Sequence, residues 1–347
     1  MPARSETVLP SAAERAAAAR LRASERLAVA MADVFLPEDA RLDDRTRLAL
    51  ADRLGRLIGG LEAELRRQAA RLLAARGAER AAEALHAARP GLALERLTRA
   101  GLLRDEALVE ELLAQTQLTL MAQAMPAAGG GEDASLLVRL AAVPDRVVAA
   151  AAQALLVADC REDATLPAEL HHRLVWQVAA AIRPDPSDAE TDRAIAEAAT
   201  RSLAAHDEGE RPEAVATRLA AAIDARPDEL APLLLEVLGD RRPGLFTAVL
   251  AQAVGIDTAQ LRTVVLEPEG ERLWLALRAA QLDRQTIARI ALTLAEADPR
   301  RDIEGFADQL DRIAAVEPAE ARLALAPETL NPAFRAAIVA LARSTAR

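Results

Sequence analysis

The chain has no lysine and no tyrosine, and its aromatic content stops at four Phe and two Trp. Without lysine, a Schiff-base enzyme, a phosphate-loop NTPase and a kinase-type phosphoryl transferase are all excluded. The glycine run at 129–131 is followed by Glu132 and Asp133, which would repel a phosphate rather than cradle it. So few aromatics leave no platforms on which unpaired bases could stack. The single cysteine, Cys160, excludes an internal disulfide and fits a reducing compartment. No GxSxG, HExxH, CxxC or GxGxxG pattern occurs. Long apolar runs are missing as well. The longest uncharged stretch, Leu112–Gly131, carries Gln115, Thr116, Gln117 and Thr119 and ends in Pro126 and glycines, too polar and too broken for a membrane span. The first thirty residues lack the uninterrupted apolar stretch of a secretory signal. These absences lead us to expect a cytoplasmic protein with no membrane insertion, no catalytic residues, no cofactor and no metal.

What is present is alanine, leucine and charge. Of 347 residues 52% are apolar, enough for a sizeable core. Alanine and leucine favour helices, while β-branched and aromatic strand formers are scarce, so the expected class is all-α. Charge is uneven along the chain. Residues 1–104 carry 19 Arg against 14 acids, a net of +5, and residues 105–347 carry 24 Arg against 39 acids, a net of −15. An acidic two-thirds repels nucleic acid and anionic lipid, so a protein partner is expected and nucleic acid is not.

Helical periodicity recurs between Pro and Gly breaks. A capping pattern at Ser11 and Glu14 opens a helix that stops before Pro37. A helix over about 44–58 presents Leu48, Ala51, Leu54, Leu57 and Ile58 on one face. Gly59-Gly60 is expected to break it, and a further helix ends at Gly77. Helices are expected near 144–159, 168–183 and 188–206, followed by shorter ones. The clearest linker is "PAAGGGEDA", 126–134, which divides a basic N-terminal region, 1–125, from an acidic C-terminal region, 135–347. "DEGERP", 207–212, is a second possible boundary. Leu94–Leu113 can be overlaid on Leu273–Leu292, with Leu94 on Leu273 and Leu103 on Leu282. Hairpins of this kind, stacked in a row, give an irregular α-solenoid.

The stretches "LDDRTRLALADRLGRLIGGLEAELRRQAARLLA", 42–74, "LTRAGLLRDEALVEELL", and "LLLEVLGDRRPGLFTAVLAQAVGIDTAQLRTVVLEPEGERLWLALRAAQL", 233–282, resemble a bacterial family, domain of unknown function 2336. The resemblance rests on Leu/Ala spacing and a few Arg, Asp and Gly positions. It implies HEAT-like helical repeats and brings no catalytic residues with it.

Three places offer chemistry. Arg66, Arg67, Arg71, Arg76 and Arg80 form a ridge able to bind carboxylates or phosphate on a partner. The competing expectation is pairing with Glu62, Glu64, Glu79 and Glu83 along the same helices. "LAQAVGIDTAQL", within 250–265, has the spacing of a helix-turn-helix, with Gly255 in the turn, Ile256 inward and Asp257 or Thr258 as cap. As a DNA reader it would present Gln260, Arg262 and Thr263, but three acids follow directly. "DCREDATLPAELHHRLVW", 159–176, gathers Cys160, His171 and His172 with several carboxylates. Adjacent helical residues diverge by about 100°, so the two histidines cannot share an ion. Glu169 and Arg173 are expected to pair at i,i+4. The favoured function is therefore a non-enzymatic protein–protein scaffold or adaptor. A DNA-binding regulator and a metal-dependent enzyme near 159–176 are the alternatives.

Overall fold

The computed structural model describes residues 41–126, 134–160 and 165–331, with positions 333–335, 337, 338 and 341. The expected helix between Ser11 and Pro37 and the glycines of the 126–134 linker lie outside the described residues. Contacts separate Met1–Arg47 from Leu48–Arg347. In the first unit Asp43 receives the Thr46 N–H at 2.8 Å.

The protein is all-α, and no strand occurs among the described residues. Its helices are α1 (Asp44–Ala75), α2 (Glu79–Ala87), α3 (Leu92–Arg99), α4 (Glu106–Ala124), α5 (Leu136–Leu140), α6 (Arg146–Asp159), α7 (Ala168–Ala181) and α8 (Ala189–Ala205). Then follow α9 (Pro212–Ile223), α10 (Pro227–Gly239), α11 (Pro243–Val254), α12 (Thr258–Val265), α13 (Glu271–Ala279), α14 (Arg284–Ala297), α15 (Ile303–Ala315) and α16 (Pro318–Ala324). The expected helices near 144, 168 and 188 are thus α6, α7 and α8. "DEGERP" holds only a 3-10 turn, Glu208–Glu210.

Aspartate starts many of these helices. The side chains of Asp105, Asp145, Asp188, Asp257, Asp283 and Asp302 each accept a backbone N–H from the first turn they precede. Such a cap contributes about 1 kcal/mol and fixes where the helix begins.

Gly59-Gly60 does not break α1, contrary to the sequence expectation. Ile58, Leu65, Ala69 and Leu73 are fully buried along one stripe. Each large member of that stripe contributes about 1.5–3 kcal/mol, which outweighs roughly 1 kcal/mol of helix penalty per glycine. The stripe also starts later than expected. Leu48 is 72% exposed, and full burial begins at Ile58.

The apolar interior consists of two clusters that interleave along the chain. One joins α1–α3 and the start of α4 (Leu108, Leu112) to α7 and α8. The other joins the end of α4 (Ala114, Met121, Met125) to α5, α6 and α9–α16. The chain therefore crosses from one cluster to the other along α4, returns through α7–α8, and crosses again. Helix α9 packs on α6 and α11, and α4 packs on α11 and α14.

The overlaid hairpins do share turn chemistry, displaced by one residue. After α3, Leu102 N–H reaches Leu97 O with Gly101 at φ 72; after α13, Leu282 N–H reaches Leu277 O with Gln281 at φ 63. This 6→1 closure stops a helix. It aligns buried Ala93 and Leu97 with buried Leu273 and Leu277, one step from the sequence overlay. The connection to the next Asp cap is longer in the first hairpin, so repeat length is uneven.

Candidate functional site

Within 159–176 the described residues are the end of α6 and the stretch from Thr165 into α7, and their reactive groups do not converge. Cys160 is exposed at the end of α6. His172 accepts from Trp176 Nε1 at 3.3 Å on the outer face. Arg173 pairs with Asp105 at 2.7 Å in place of the expected Glu169. Among the described residues no group of three His, Cys, Asp or Glu side chains could hold a metal ion.

His171 finds a partner that sequence reasoning missed. Its ring stacks on His206 with centroids 3.9 Å apart and 10° between planes. His206 Nε2 lies 3.1 Å from the Leu166 carbonyl. A carbonyl only accepts, so that nitrogen carries a proton. Burial, then the His206 and His172 rings, push His171 down to about 4 from 6.5. The folded state thus keeps His171 neutral in a range where the unfolded chain takes up a proton. Stability falls as pH drops from 6.5 towards 4. Discounted for a half-exposed ring, the loss is about 1–2 kcal/mol. Urea unfolding at about pH 7 and pH 4.5 checks this: the His171→Leu variant should lose less stability on acidification than the parent. An equal loss in both would show that His171 does not carry the effect.

The helix-turn-helix pattern is structurally correct at its turn. Gly255 closes α11 at φ 70, Ile256 is buried, and Asp257 caps α12. Its reading side chains are not available, however. Gln260 and Arg262 are buried, and Gln260 donates to the Leu330 carbonyl at 3.0 Å. Thr263 is half-buried and donates to the Gln260 carbonyl at 2.8 Å, so the side chains expected to face DNA are engaged within the protein. The same two helices, apolar enough together to cross a membrane, are bent by 118° against each other, and no single described helix qualifies.

Arg262 belongs to a buried polar network centred on Glu111. The Glu111 carboxylate accepts from Arg262 Nη1 at 3.2 Å and Nη2 at 2.5 Å, from Arg211 Nη2 at 2.8 Å, and from Gln115 Nε2 at 2.8 Å. Gln115 also donates to the Thr165 carbonyl and accepts from Arg53 Nη1 at 3.3 Å, while Arg53 Nη2 donates to Thr119 Oγ1 at 2.8 Å. Burial opposes the Glu111 charge, but Arg262, Gln115 and Arg211 more than offset it and hold the carboxyl below its ordinary range. Burial likewise opposes the Arg262 charge, and Glu111, Glu213 and Glu110 reverse that effect. The network ties α4, α9 and α12 together and ends at a polar cavity of about 690 Å³. Arg53, Arg56, Arg241 and Arg242 contribute its cations, and Asp159, Glu213 and Asp240 its carboxylates.

The arginine ridge divides. Arg66 is buried, paired with Glu62 at 2.7 Å, and bonded to the Ala88 and Arg89 carbonyls. It is a clamp between α1 and the end of α2, and leaves the ridge for that reason. Arg76 pairs with Glu197 of α8 at 2.5 Å. Arg67, Arg71 and Arg80 are exposed, and none has an ion pair among the described residues. The expected pairing with Glu64, Glu79 and Glu83 does not form, since Glu64 accepts instead from Gln68. Arg67 and Arg71 stand over a groove of about 620 Å³ between α1 and α2. Its floor is alanine (Ala70, Ala74, Ala82), with Glu83 and His86 on the far wall.

Compared with known proteins, this chain matches no protein family, no curated protein and no solved structure.

Proposed function

We propose that the protein is a non-enzymatic adaptor built on HEAT-like helical hairpins, a divergent relative of the domain-of-unknown-function 2336 proteins. It docks an acidic protein partner on the α1–α2 face. The observation that supports this reading is the set of three exposed, unpaired arginines, Arg67, Arg71 and Arg80. An unpaired guanidinium in water keeps its full capacity for a forked bond to a carboxylate. Two of the three flank an apolar floor of small side chains, where a partner helix can approach closely. Charge complementarity then speeds encounter and sets orientation. The reading places the protein in the cytoplasm, where a chain with one cysteine needs no disulfide.

A photo-crosslinker at Ala74, exposed on the groove, tests this in host extract. The expected result is one dominant crosslinked protein whose contact segment is acidic. In the R67E/R71E/R80E variant, with helicity unchanged, its yield should fall about tenfold or more. The same product in both proteins, or a basic contact segment, would overturn the assignment.

A further inference from the structure

We propose that the polar cavity between α4, α6, α9 and the α10–α11 turn is a binding site for a small oxyanion carrying a phosphate or carboxylate group. This rests on different residues from the partner-docking face. The argument is a charge account of the cavity wall. Arg242 is neutralised by Asp159, and Arg56 by Asp52. Asp240 receives the Leu136 N–H at 2.6 Å, and Glu213 lies 3.6 Å from Arg211 and 3.9 Å from Arg262. Asp159 and Asp240 therefore already face donors, while one buried oxygen of Glu213 makes ion contacts only, without a hydrogen bond.

Among the described residues, two of the wall's cations, Arg53 and Arg241, form no ion pair. Arg53 is half-buried, and its hydrogen-bond partners there are the neutral Gln115 and Thr119. Arg241 is exposed and has no side-chain partner among the described residues. Two donors on the wall, Arg53 Nε and Arg242 Nε, are cut off from water and have no acceptor. Leaving such donors unpaired is costly, and an oxyanion provides what they lack. Burial and then Arg56 lower the Arg53 pKa, an effect that Glu213 and Asp52 offset only in part. The volume of about 690 Å³ falls in the range of small-ligand sites. Beneath the wall, the Glu111 network fixes Gln115 and through it Arg53, so the guanidinium is positioned before any ligand arrives.

Arg241 adds a structural sign. It holds φ 58 at the turn before α11, a left-handed conformation that costs a non-glycine residue energy. Glycine would suit that backbone, so Arg241→Gly removes the charge without threatening the fold.

Calorimetric titration of the full chain in chloride-free, low-salt buffer with inorganic phosphate, and separately with citrate, provides the test. We expect saturable one-to-one binding of at least one probe, with the stronger of the two identifying the headgroup. Arg241→Gly and Arg53→Ala should each weaken that binding about tenfold or more, as expected for loss of one charge-assisted contact. The R67E/R71E/R80E protein should bind as the parent does, so failure of the docking assignment leaves this result untouched. No saturable binding of either probe, or undiminished affinity in Arg241→Gly, would overturn the site.

Discussion

Arg262→Ala is expected to lower the free energy of unfolding by about 3–5 kcal/mol, because it leaves a buried carboxylate short of its main counter-charge. Glu111 is only 6% exposed, and three of its four side-chain hydrogen bonds come from residues far away in the sequence. Arg211 remains after the substitution, but its guanidinium also serves Glu208 and Glu213. A second substitution separates charge loss from packing loss. In the Glu111→Leu/Arg262→Leu protein no uncompensated pair remains, and apolar side chains fill part of the space. Its cost should be smaller than the sum of the two single variants by at least about 1.5 kcal/mol, the signature of direct coupling. Urea unfolding of the parent, Arg262→Ala, Glu111→Leu, Arg262→Leu and the double Leu variant gives these values. The Glu111 carboxyl titrates below its ordinary range when folded, so its contribution is present at neutral pH and is lost as pH falls into that range. Additive single variants, or an Arg262→Ala cost under 1 kcal/mol, would show that the network is not what holds α4 to α12.

The network also shows where sequence reasoning stops. The start of α12 was readable because its determinant is local: the Asp257 side chain reaches a backbone N–H two residues away. Turns at Gly77 and Gly255 were readable for the same reason. The Gly59-Gly60 pair misled, since its effect depends on how much Ile58, Leu61 and Leu65 bury against other helices, and that is set by tertiary packing. Burial of charge was hidden altogether. Nothing in "DEALVEELL" distinguishes Glu111 from Glu110, because its partners lie 100 and 151 residues away. One trace did exist. Gln115 and Thr119, which made Leu112–Gly131 too polar for a membrane, are the groups that hold Arg53 at the cavity. Of the arginine ridge, spacing located the exposed members, but it could not tell that Arg66 turns inward to the Ala88 and Arg89 carbonyls.

Phe246→Ala should cost about as much as the charge variant, about 3–5 kcal/mol, through a different physical route. Phe246 is fully buried in α11 and is the largest side chain with no exposure in the described core. Its neighbours along the helix are themselves buried, including Leu245, Ala248, Val249 and Leu250, so the helix has no free face to rotate into the space. Close-packed surroundings collapse only partly around such a void, and the lost contacts add to the lost transfer energy. Phe246→Leu keeps most of the volume and should cost about 1–1.5 kcal/mol. The two-cluster interior makes the expectation local. Phe246 sits in the cluster of α5, α6 and α9–α16, while Leu65 of α1 sits in the other. Hydrogen exchange on the Phe246→Ala protein should therefore show protection falling first in α9, α11 and α12, with amides around Leu65 keeping most of theirs. The helix shared by both clusters, α4, should divide, with its Met121 end opening before its Leu108 end. A uniform fall across α1 and α11 would mean that the clusters open as one unit, and that crossing α4 transmits the whole cost.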